Sequence, residues 1–185
     1  MDPTPTTPTR RVLIVDDEPE ILNLFRTYLE EDGWAVDTVE RGEEALELFR
    51  RNSYDLILLD CIMPGLDGPT VHHKISQIFG YGRRVSQLLP PLLPPVLIVT
   101  GWYDDEKNER MLFGERVVGI LRKPVSCARL VEIARDLWAW EVENRKRRTQ
   151  IFEKTSDWAP PALAPLPVQA DRSEALVLHQ EGRGV

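Results

Sequence analysis

The sequence predicts an α/β domain in which helices cover both faces of a parallel β-sheet. The main observation is a set of four short apolar runs, which begin at Val12, Leu56, Val96 and Val117. Continuous apolar runs of this kind are typical of strands that are buried on both faces. Helical patterns separate the first runs, and the β-α-β-α-β order predicts right-handed crossovers and a doubly wound sheet.

The first half of the chain contains five predicted elements, with regular spacing. They are a strand, a helix, a less buried strand, a short helix and a strand, over 12–15, 19–33, 34–39, 43–50 and 56–59. The first helix has recognisable ends, because Pro19 is tolerated in a first turn and Asp17 or Glu18 can act as the N-cap. Gly33 is a typical residue for the C-terminal end of that helix.

The stretch between residues 60 and 96 is less regular. The segment 63–68 is a turn-rich loop, and a helix is predicted over 70–79 and ends at Gly80-Tyr81-Gly82. The segment 88–95 is a Pro-Leu stretch that we expect to be extended, since prolines lack a donor and clash inside a helix. Its leucines either cover part of the core or form an exposed apolar ridge.

The second half of the chain predicts a polar helix over 104–113, a strand over 117–121 and a long last helix. Ser126 can cap this last helix, and its pattern persists through Glu153. The predicted core face of the helix consists of Leu130, Ile133, Ala134, Leu137 and Trp138.

Length and composition predict one domain with additional segments at both ends. We expect a disordered lead-in over 1–9, the domain over 10–140, a helical extension over 141–154 and a disordered Pro/Ala-rich tail over 155–185. The net charge of −7 argues against general affinity for nucleic acid. No apolar run approaches the ~18 residues of a membrane span. Cys61 and Cys127 do not make a disulfide framework, which favours a reducing, cytoplasmic location.

Chemically active residues stand at the ends of the four apolar runs. Asp16 and Asp17 follow the first run, Asp60 ends the second, Thr100 ends the third, and Lys123 follows the last. The carboxyl ends of parallel strands meet at one edge of the sheet, where α/β proteins form their sites. Three carboxylates, one hydroxyl and one ammonium group at that edge suit binding a divalent cation and receiving a phosphoryl group.

These residues, with Pro124 and the loop over 63–68, resemble the signature of the receiver domain of two-component response regulators. The resemblance covers about residues 10–140. It implies a flavodoxin-like five-stranded sheet of order 2-1-3-4-5 with helices on both faces. It further implies a stand-alone, cytoplasmic receiver of the chemotaxis-regulator type, which is a phosphoacceptor and not an enzyme in the usual sense.

The resemblance assigns a role to each site residue. Asp60 is the phosphoacceptor, and Thr100 and Lys123 contact the phosphoryl oxygens. The metal is Mg²⁺, which prefers oxygen ligands. Its ligands by resemblance are Asp16, Asp17, Asp60 and the backbone carbonyl of Ile62. The Lys123–Pro124 peptide is expected to be cis.

The chain departs from the family's pattern at three places. Ile120 replaces the family's Tyr or Phe three residues before the lysine, so either Ile120 packs differently in the two states or output relies on another surface. In the family, the positions of Ile62 and Trp102 flank the path of hydrolytic water, so the bulk of these two side chains predicts slow loss of phosphate. The separation between Asp60 and Thr100 is long, and the surplus in the Pro-Leu stretch is either a docking surface or an insertion without a role.

The expected partners are a sensor histidine kinase or a histidine phosphotransfer protein, and a downstream protein target. One alternative is a phosphorelay intermediate that passes its phosphate to a phosphotransfer protein; another is a phosphorylation-independent interaction module. A Mg²⁺-dependent phosphatase is remote, because Ile62 stands where it needs a second acid. The basic residues 145–148 are interpreted as a solvated helix end rather than a DNA contact. His72 and His73 are expected at the surface, and pairing of two subunits through the last helix stays open.

Overall fold

The computed structural model describes residues 10–83, 93–101 and 115–154. In this part of the chain there are five strands and four helices, which alternate from β1 to β4. They are β1 (Arg11–Val15), α1 (Pro19–Glu31), β2 (Ala35–Val39), α2 (Gly42–Arg51), β3 (Leu56–Leu59), α3 (Gly68–Arg83), β4 (Val96–Thr100), β5 (Val117–Arg122) and α4 (Cys127–Lys154). The polar helix predicted over 104–113 and most of the Pro-Leu stretch, residues 88–92, lie outside the described residues.

The five strands form one sheet of order β2-β1-β3-β4-β5, and each described pair is parallel. The predicted fold class is therefore confirmed. Strands β3 and β4 are buried along their whole length, whereas β2 is mostly half-buried, as expected for an edge strand. The parallel pairing of β4 with β5 contains a register shift between Val96 and Leu97.

Two hydrophobic layers hold the helices against the sheet. Alternate residues of each strand point to opposite faces, so that Val12 and Ile14 pack under α1 and α4 while Leu13 and Val15 pack under α2 and α3. Ile120 belongs to the second layer and is buried. In this structure it is a core residue of β5 and not a side chain on the surface.

The predicted caps are partly confirmed. Ser126 caps α4, because its Oγ accepts a hydrogen bond from the backbone N–H of Arg129 at 3.2 Å. Gly33 follows α1 with a left-handed φ of 85°. Glu18 is the N-cap residue of α1, but its side chain makes no capping hydrogen bond. The expectation of a side-chain cap there is wrong, because the carboxylate of Glu18 is directed to another partner at the site described below.

The prediction that Gly80-Tyr81-Gly82 ends the third helix is wrong. Helix α3 begins at Gly68 and continues through these residues to Arg83. A glycine inside a helix costs about 1 kcal/mol relative to alanine but still supplies its backbone donor, so it weakens a helix without breaking it. Farther along, Leu93 is fully buried in the layer under α2 and α3. That leucine of the Pro-Leu stretch covers the core.

Helix α4 extends past the edge of the sheet where the strands begin. Glu141 and Asn144 follow the core residues of this helix along the chain, and both are buried. Glu141 forms an ion pair with the buried Arg116, which precedes β5 and has a left-handed φ of 64°. The start of the predicted helical extension is thus packed against the domain. None of the described helices is both long and apolar enough to cross a membrane.

Candidate functional site

The carboxyl edge of the sheet brings together all five side chains that the sequence predicted for the site. Asp16 and Asp17 follow β1, Asp60 follows β3, Thr100 ends β4 and Lys123 follows β5. Asp16, Asp60 and Thr100 are 2%, 6% and 1% exposed. Ionisable groups are rarely buried unless they are paired, so this burial indicates that the groups interact with one another.

Three carboxylates at this edge can hold a metal ion. Oxygens of Asp16, Asp17 and Asp60 all lie within 4.8 Å of one another. Burial raises the pKa of Asp16 above its ordinary value, although hydrogen bonds from Lys123 and the Glu18 backbone act against this increase. A site that crowds anions in this way gains stability from a cation. All three donors are hard oxygen ligands, and the set fits Mg²⁺, which needs few protein ligands because it keeps several waters.

Lys123 lies at the centre of these acids. Its Nζ is 2.7 Å from Oδ2 of Asp16 and 2.9 Å from Oδ2 of Asp60. Burial alone lowers the pKa of Lys123, but its hydrogen bonds to the carboxylates outweigh burial and raise the pKa above its ordinary value. The amine is therefore a permanent ammonium group at physiological pH.

The backbone fixes the position of Lys123 in the site. The Lys123–Pro124 peptide is cis, as expected from the resemblance. The backbone N–H of Lys123 donates to the carbonyl of Thr100 at 2.9 Å, which ties the ends of β4 and β5 together. The side chain of Lys123 consequently starts beside Thr100 and reaches across to the acids that follow β1 and β3.

Glu18 is a site residue that the sequence analysis did not assign to the site. Its Oε1 lies 2.9 Å from Nζ of Lys123, although its side chain is 57% exposed. A third acid directly after Asp16 and Asp17 is the only sequence signal for it, and the same residue also suits a helix cap. The contact uses the third hydrogen of the ammonium group, since Asp16 and Asp60 take the other two.

The loop after β3 is held close to Asp60. The backbone N–H of Asp60 donates to the carbonyl of Val15 at 2.9 Å, and Oδ1 of Asp60 accepts from the N–H of Ile62 at 3.3 Å. The N–H of Gly68 donates to the carbonyl of Cys61 at 3.0 Å and closes the loop. The side chain of Ile62 is exposed, in agreement with a position at the mouth of the site. Trp102, the other side chain expected there, lies outside the described residues.

The two adjacent histidines differ in their surroundings. His73 is exposed, whereas His72 is half-buried and its Nε2 lies 2.8 Å from the carbonyl oxygen of Glu115. Burial lowers the pKa of His72. The expectation of two surface histidines therefore holds for His73 only, and His72 packs α3 against the turn before β5.

The sequence matches the family described as response regulator receiver domain over residues 12–135. It is 46% identical over 67 residues to the transcriptional regulatory protein ResD of Bacillus subtilis, an alignment that covers 36% of this chain and 28% of ResD. It is 39% identical over 69 residues to the transcriptional regulatory protein SrrA of Staphylococcus aureus, which covers 37% of this chain and 29% of SrrA. The chain thus matches less than a third of the length of these curated relatives.

Solved structures agree with the family match. A receiver domain protein (CheY-like) from Methanospirillum hungatei superposes with a TM-score of 0.62 at 23% identity, covering 73% of this chain and 98% of that one. A receiver domain from Francisella has a TM-score of 0.59 at 27% identity, with 71% and 98% covered. A receiver domain protein from Clostridium thermocellum has a TM-score of 0.57 at 28% identity, with 74% and 97% covered.

Proposed function

The chain belongs to the response regulator receiver domain family of two-component signalling, and on that premise we propose that Asp60 is its phosphoacceptor. The observation that carries the proposal is the convergence on Asp60 of a buried ammonium group and two further carboxylates. The ammonium group, together with a metal ion bound by these carboxylates, would offset their mutual repulsion and leave an aspartate oxygen available as a nucleophile. The proposed donor is a phosphohistidine of a sensor histidine kinase or of a histidine phosphotransfer protein.

Each site residue has a role in this proposal. Asp16, Asp17, Asp60 and the backbone carbonyl of Ile62 would hold Mg²⁺, which neutralises charge on the phosphoryl oxygens when it is bound. Lys123 pairs with a second phosphoryl oxygen, and the hydroxyl of Thr100 donates to a third. Receiver domains generally bind Mg²⁺ at such an acidic pocket, and the cluster of three carboxylates here supports the same use.

The proposed reaction is a displacement at phosphorus. An oxygen of Asp60 forms the new bond to phosphorus while the bond from phosphorus to the histidine nitrogen breaks, and the imidazole leaves with the bonding electron pair. The protein contributes position and charge stabilisation, since phosphoryl transfer requires little other covalent chemistry from it. The receiver would assist its own phosphorylation and dephosphorylation in this way without being an enzyme in the usual sense.

The proposed output is binding of a downstream protein that distinguishes the phosphorylated from the unphosphorylated receiver. The proposed location is the cytoplasm, where the kinase domains of two-component systems act. DNA is not a proposed partner of the described domain, because the basic residues Arg145 and Arg147 already pair with acids of the same chain.

The experiment is phosphorylation of the purified protein by acetyl phosphate and by phosphoramidate, followed by intact mass spectrometry. We expect one phosphoryl group per chain with Mg²⁺, none with a chelator and none in Asp60→Asn. Asp136→Asn on α4 is the matched control and should be phosphorylated like the wild type. A wild type that accepts no phosphoryl group from either donor or from a phosphorylated kinase would overturn the proposal, as would full modification of Asp60→Asn.

A further inference from the structure

The carboxylate of Glu18 joins the loop after β1 to the end of β5. Its Oε1 accepts a hydrogen bond from Nζ of Lys123 at 2.9 Å. The backbone of Glu18 is fixed, because its N–H donates to Oδ1 of Asp16 at 3.1 Å and its carbonyl accepts from the N–H groups of Ile21 and Leu22 at 3.0 and 3.1 Å. The side chain makes no capping hydrogen bond to α1, so the carboxylate is directed across the edge of the sheet to the lysine.

Glu18 differs from the other two carboxylates that accept from the ammonium group of Lys123. Asp16 and Asp60 are buried and belong to the group of three carboxylates that can hold a metal ion. Among the described residues that group consists of Asp16, Asp17 and Asp60, and Glu18 is not part of it. The side chain of Glu18 is also more than half exposed. Glu18 is therefore the acceptor whose charge stays available to Lys123 when the other two ligate a metal ion.

The hold of Asp16 and Asp60 on Lys123 weakens when these two residues ligate a metal ion. Their negative charge is then shared with a second cation, which also repels the ammonium group. Two of the three ammonium hydrogens become free to contact phosphoryl oxygens, and the third keeps Glu18 as its acceptor. Without an acid at position 18, the flexible four-carbon side chain of Lys123 could turn away from the site.

We propose that Glu18 is a positioning residue that keeps the ammonium group of Lys123 beside Asp60 in the metal-bound protein. Glu18 acts through Lys123 and does not touch the reacting atoms. The inference rests on the proposed function, since it assumes that Asp16 and Asp60 ligate Mg²⁺ and that Lys123 pairs with a phosphoryl oxygen. Its distinctive consequence is that Glu18 matters more with the metal than without it.

The experiment measures how fast Lys123 reacts with an acetylating reagent, by peptide mass spectrometry, in metal-free protein and at saturating Mg²⁺. Glu18→Gln removes the charge at nearly unchanged shape, and Glu18→Ala removes the acceptor. At saturating Mg²⁺ we expect Lys123 to react about two- to fivefold faster in both variants than in the wild type, as for loss of one half-exposed ion pair. Without metal the acceleration should be smaller, because Asp16 and Asp60 still hold the ammonium group. The exposed Lys74 is the internal reference in each sample.

Glu20→Gln is the matched control, because Glu20 is an exposed acid in the first turn of α1 and its loss changes the net charge equally. It should resemble the wild type in the acetylation of Lys123 and in phosphorylation by acetyl phosphate. Both Glu18 variants should be phosphorylated about two- to fivefold more slowly at saturating Mg²⁺. If Glu18 merely repelled the phosphoryl donor, its removal would instead make phosphorylation faster.

Two results would overturn the inference and leave the proposed function intact. One is faster or unchanged phosphorylation of the Glu18 variants. The other is acetylation of Lys123 that is equal to the wild type, or accelerated by the same factor with and without Mg²⁺, since a general effect of charge or packing does not depend on the metal. A wild type that binds no Mg²⁺ in a calorimetric titration, or that accepts no phosphoryl group, would overturn the proposed function itself.

Discussion

The ammonium nitrogen of Lys123 lies 2.9 Å from Oδ2 of Asp60 and acts as a counter-ion for this proposed acceptor aspartate. It also lies 2.7 Å from Oδ2 of Asp16. Two of the three carboxylates that could hold a metal ion are therefore already paired with a cation of the protein itself. A divalent ion at this site is repelled by the ammonium group, so that Lys123 and the metal compete for the same negative charge.

Lys123→Met is expected to bind Mg²⁺ more tightly than the wild type while losing most of its phosphorylation. Removal of one positive charge within hydrogen-bond distance of two ligands should raise Mg²⁺ affinity by roughly three- to tenfold at an effective dielectric constant typical of partly buried sites. Phosphorylation should fall because no ammonium group remains to pair with the phosphoryl group. Isothermal titration with Mg²⁺ and phosphorylation by acetyl phosphate measure the two effects.

Lys74→Met is the matched control for this prediction. Lys74 is an exposed lysine on α3, and its removal changes the net charge by the same amount. We expect Mg²⁺ affinity close to that of the wild type. Weaker Mg²⁺ binding in Lys123→Met would contradict the competition between the lysine and the metal.

Gly68→Ala is expected to damage the site and the fold together. A Cβ at Gly68 would lie 2.1 Å from the carbonyl oxygen of Asp60, and backbone atoms cannot yield as a flexible side chain does. We expect a loss of about 3 kcal/mol or more in the free energy of unfolding, as for other severe overpacking of a fixed backbone. Urea unfolding measures this loss, and Mg²⁺ titration of the folded fraction reports displacement of the Asp60 loop.

Gly101→Ala is the control, because it adds the same methyl group at the same edge of the sheet. The nearest atom to its Cβ would be Cβ of Lys123 at 4.0 Å, an ordinary contact distance. We expect a change within about 0.5 kcal/mol. Equal stability of the two alanine variants would show that the loop relaxes around Gly68.

The sequence predicted the sheet and the location of the site, because both depend on local patterns. Four apolar runs specified the buried strands, and the residue at the end of each run had to lie at one edge of a parallel sheet. The position of Lys123 near the acids was predictable for the same reason, because Lys123 follows the last of these runs. Resemblance to the receiver family supplied the strand order and the cis peptide before Pro124, which no periodicity in the chain reveals.

The features that the sequence did not predict depend on pairs of residues far apart in the chain. From the sequence alone, Glu18 is explained equally well as a helix cap. Only its contact with Lys123 in the folded protein places it at the site. The sequence did not predict the buried ion pair of Arg116 and Glu141, because a single arginine or glutamate in a sequence usually indicates a side chain in solvent. Helix α3 continues through Gly80 and Gly82 although glycine has a low helix propensity, which lowers helix stability without excluding a helix.

Glu141→Gln is expected to destabilise the domain by about 3 kcal/mol, because it leaves the buried guanidinium group of Arg116 without its counter-ion. The side chains of Arg116 and Glu141 are 6% and 1% exposed. Arg116 also donates to the carbonyl of Leu93 at 2.9 Å and stacks on Trp140. The pair thus joins α4 to the starts of β4 and β5, and urea unfolding at neutral pH measures its loss.

Glu143→Gln is the matched control on the same helix. Glu143 pairs with Arg147 one turn later at 3.1 Å, but both side chains are more than half exposed. Exposed pairs of this kind contribute about 0.5 kcal/mol or less. The double variant Arg116→Met, Glu141→Leu should recover most of the lost stability, since it leaves no unpaired buried charge. A loss in Glu141→Gln no larger than that in Glu143→Gln would argue against a structural role of the pair.

Asp32 makes stability depend on pH in the acid range. Burial alone raises the pKa of this carboxyl, but a hydrogen bond from Arg135 and the charge of Arg10 outweigh burial and hold the pKa below its ordinary value. Nε of Arg135 donates to Oδ1 of Asp32 at 2.6 Å, and the indole N–H of Trp34 donates to Oδ2 at 3.2 Å. These contacts connect the end of α1 to α4 and to the residue before β2.

Asp32→Asn is therefore expected to lower stability at neutral pH and to lose its effect in acid. A carboxyl whose pKa is lower in the folded state contributes stability above its unfolded value of 3.8, and the contribution disappears as the pH falls through the folded value. We expect a difference of about 1 kcal/mol at neutral pH, because the side chain of Arg135 is largely in solvent and its charge is screened. Urea unfolding of both proteins, from neutral pH down to below that unfolded value, should show the two curves converging in acid. Glu31→Gln, at the exposed neighbouring carboxylate, should show a much smaller difference throughout, and a gap for Asp32→Asn that widens in acid would contradict the assigned sign.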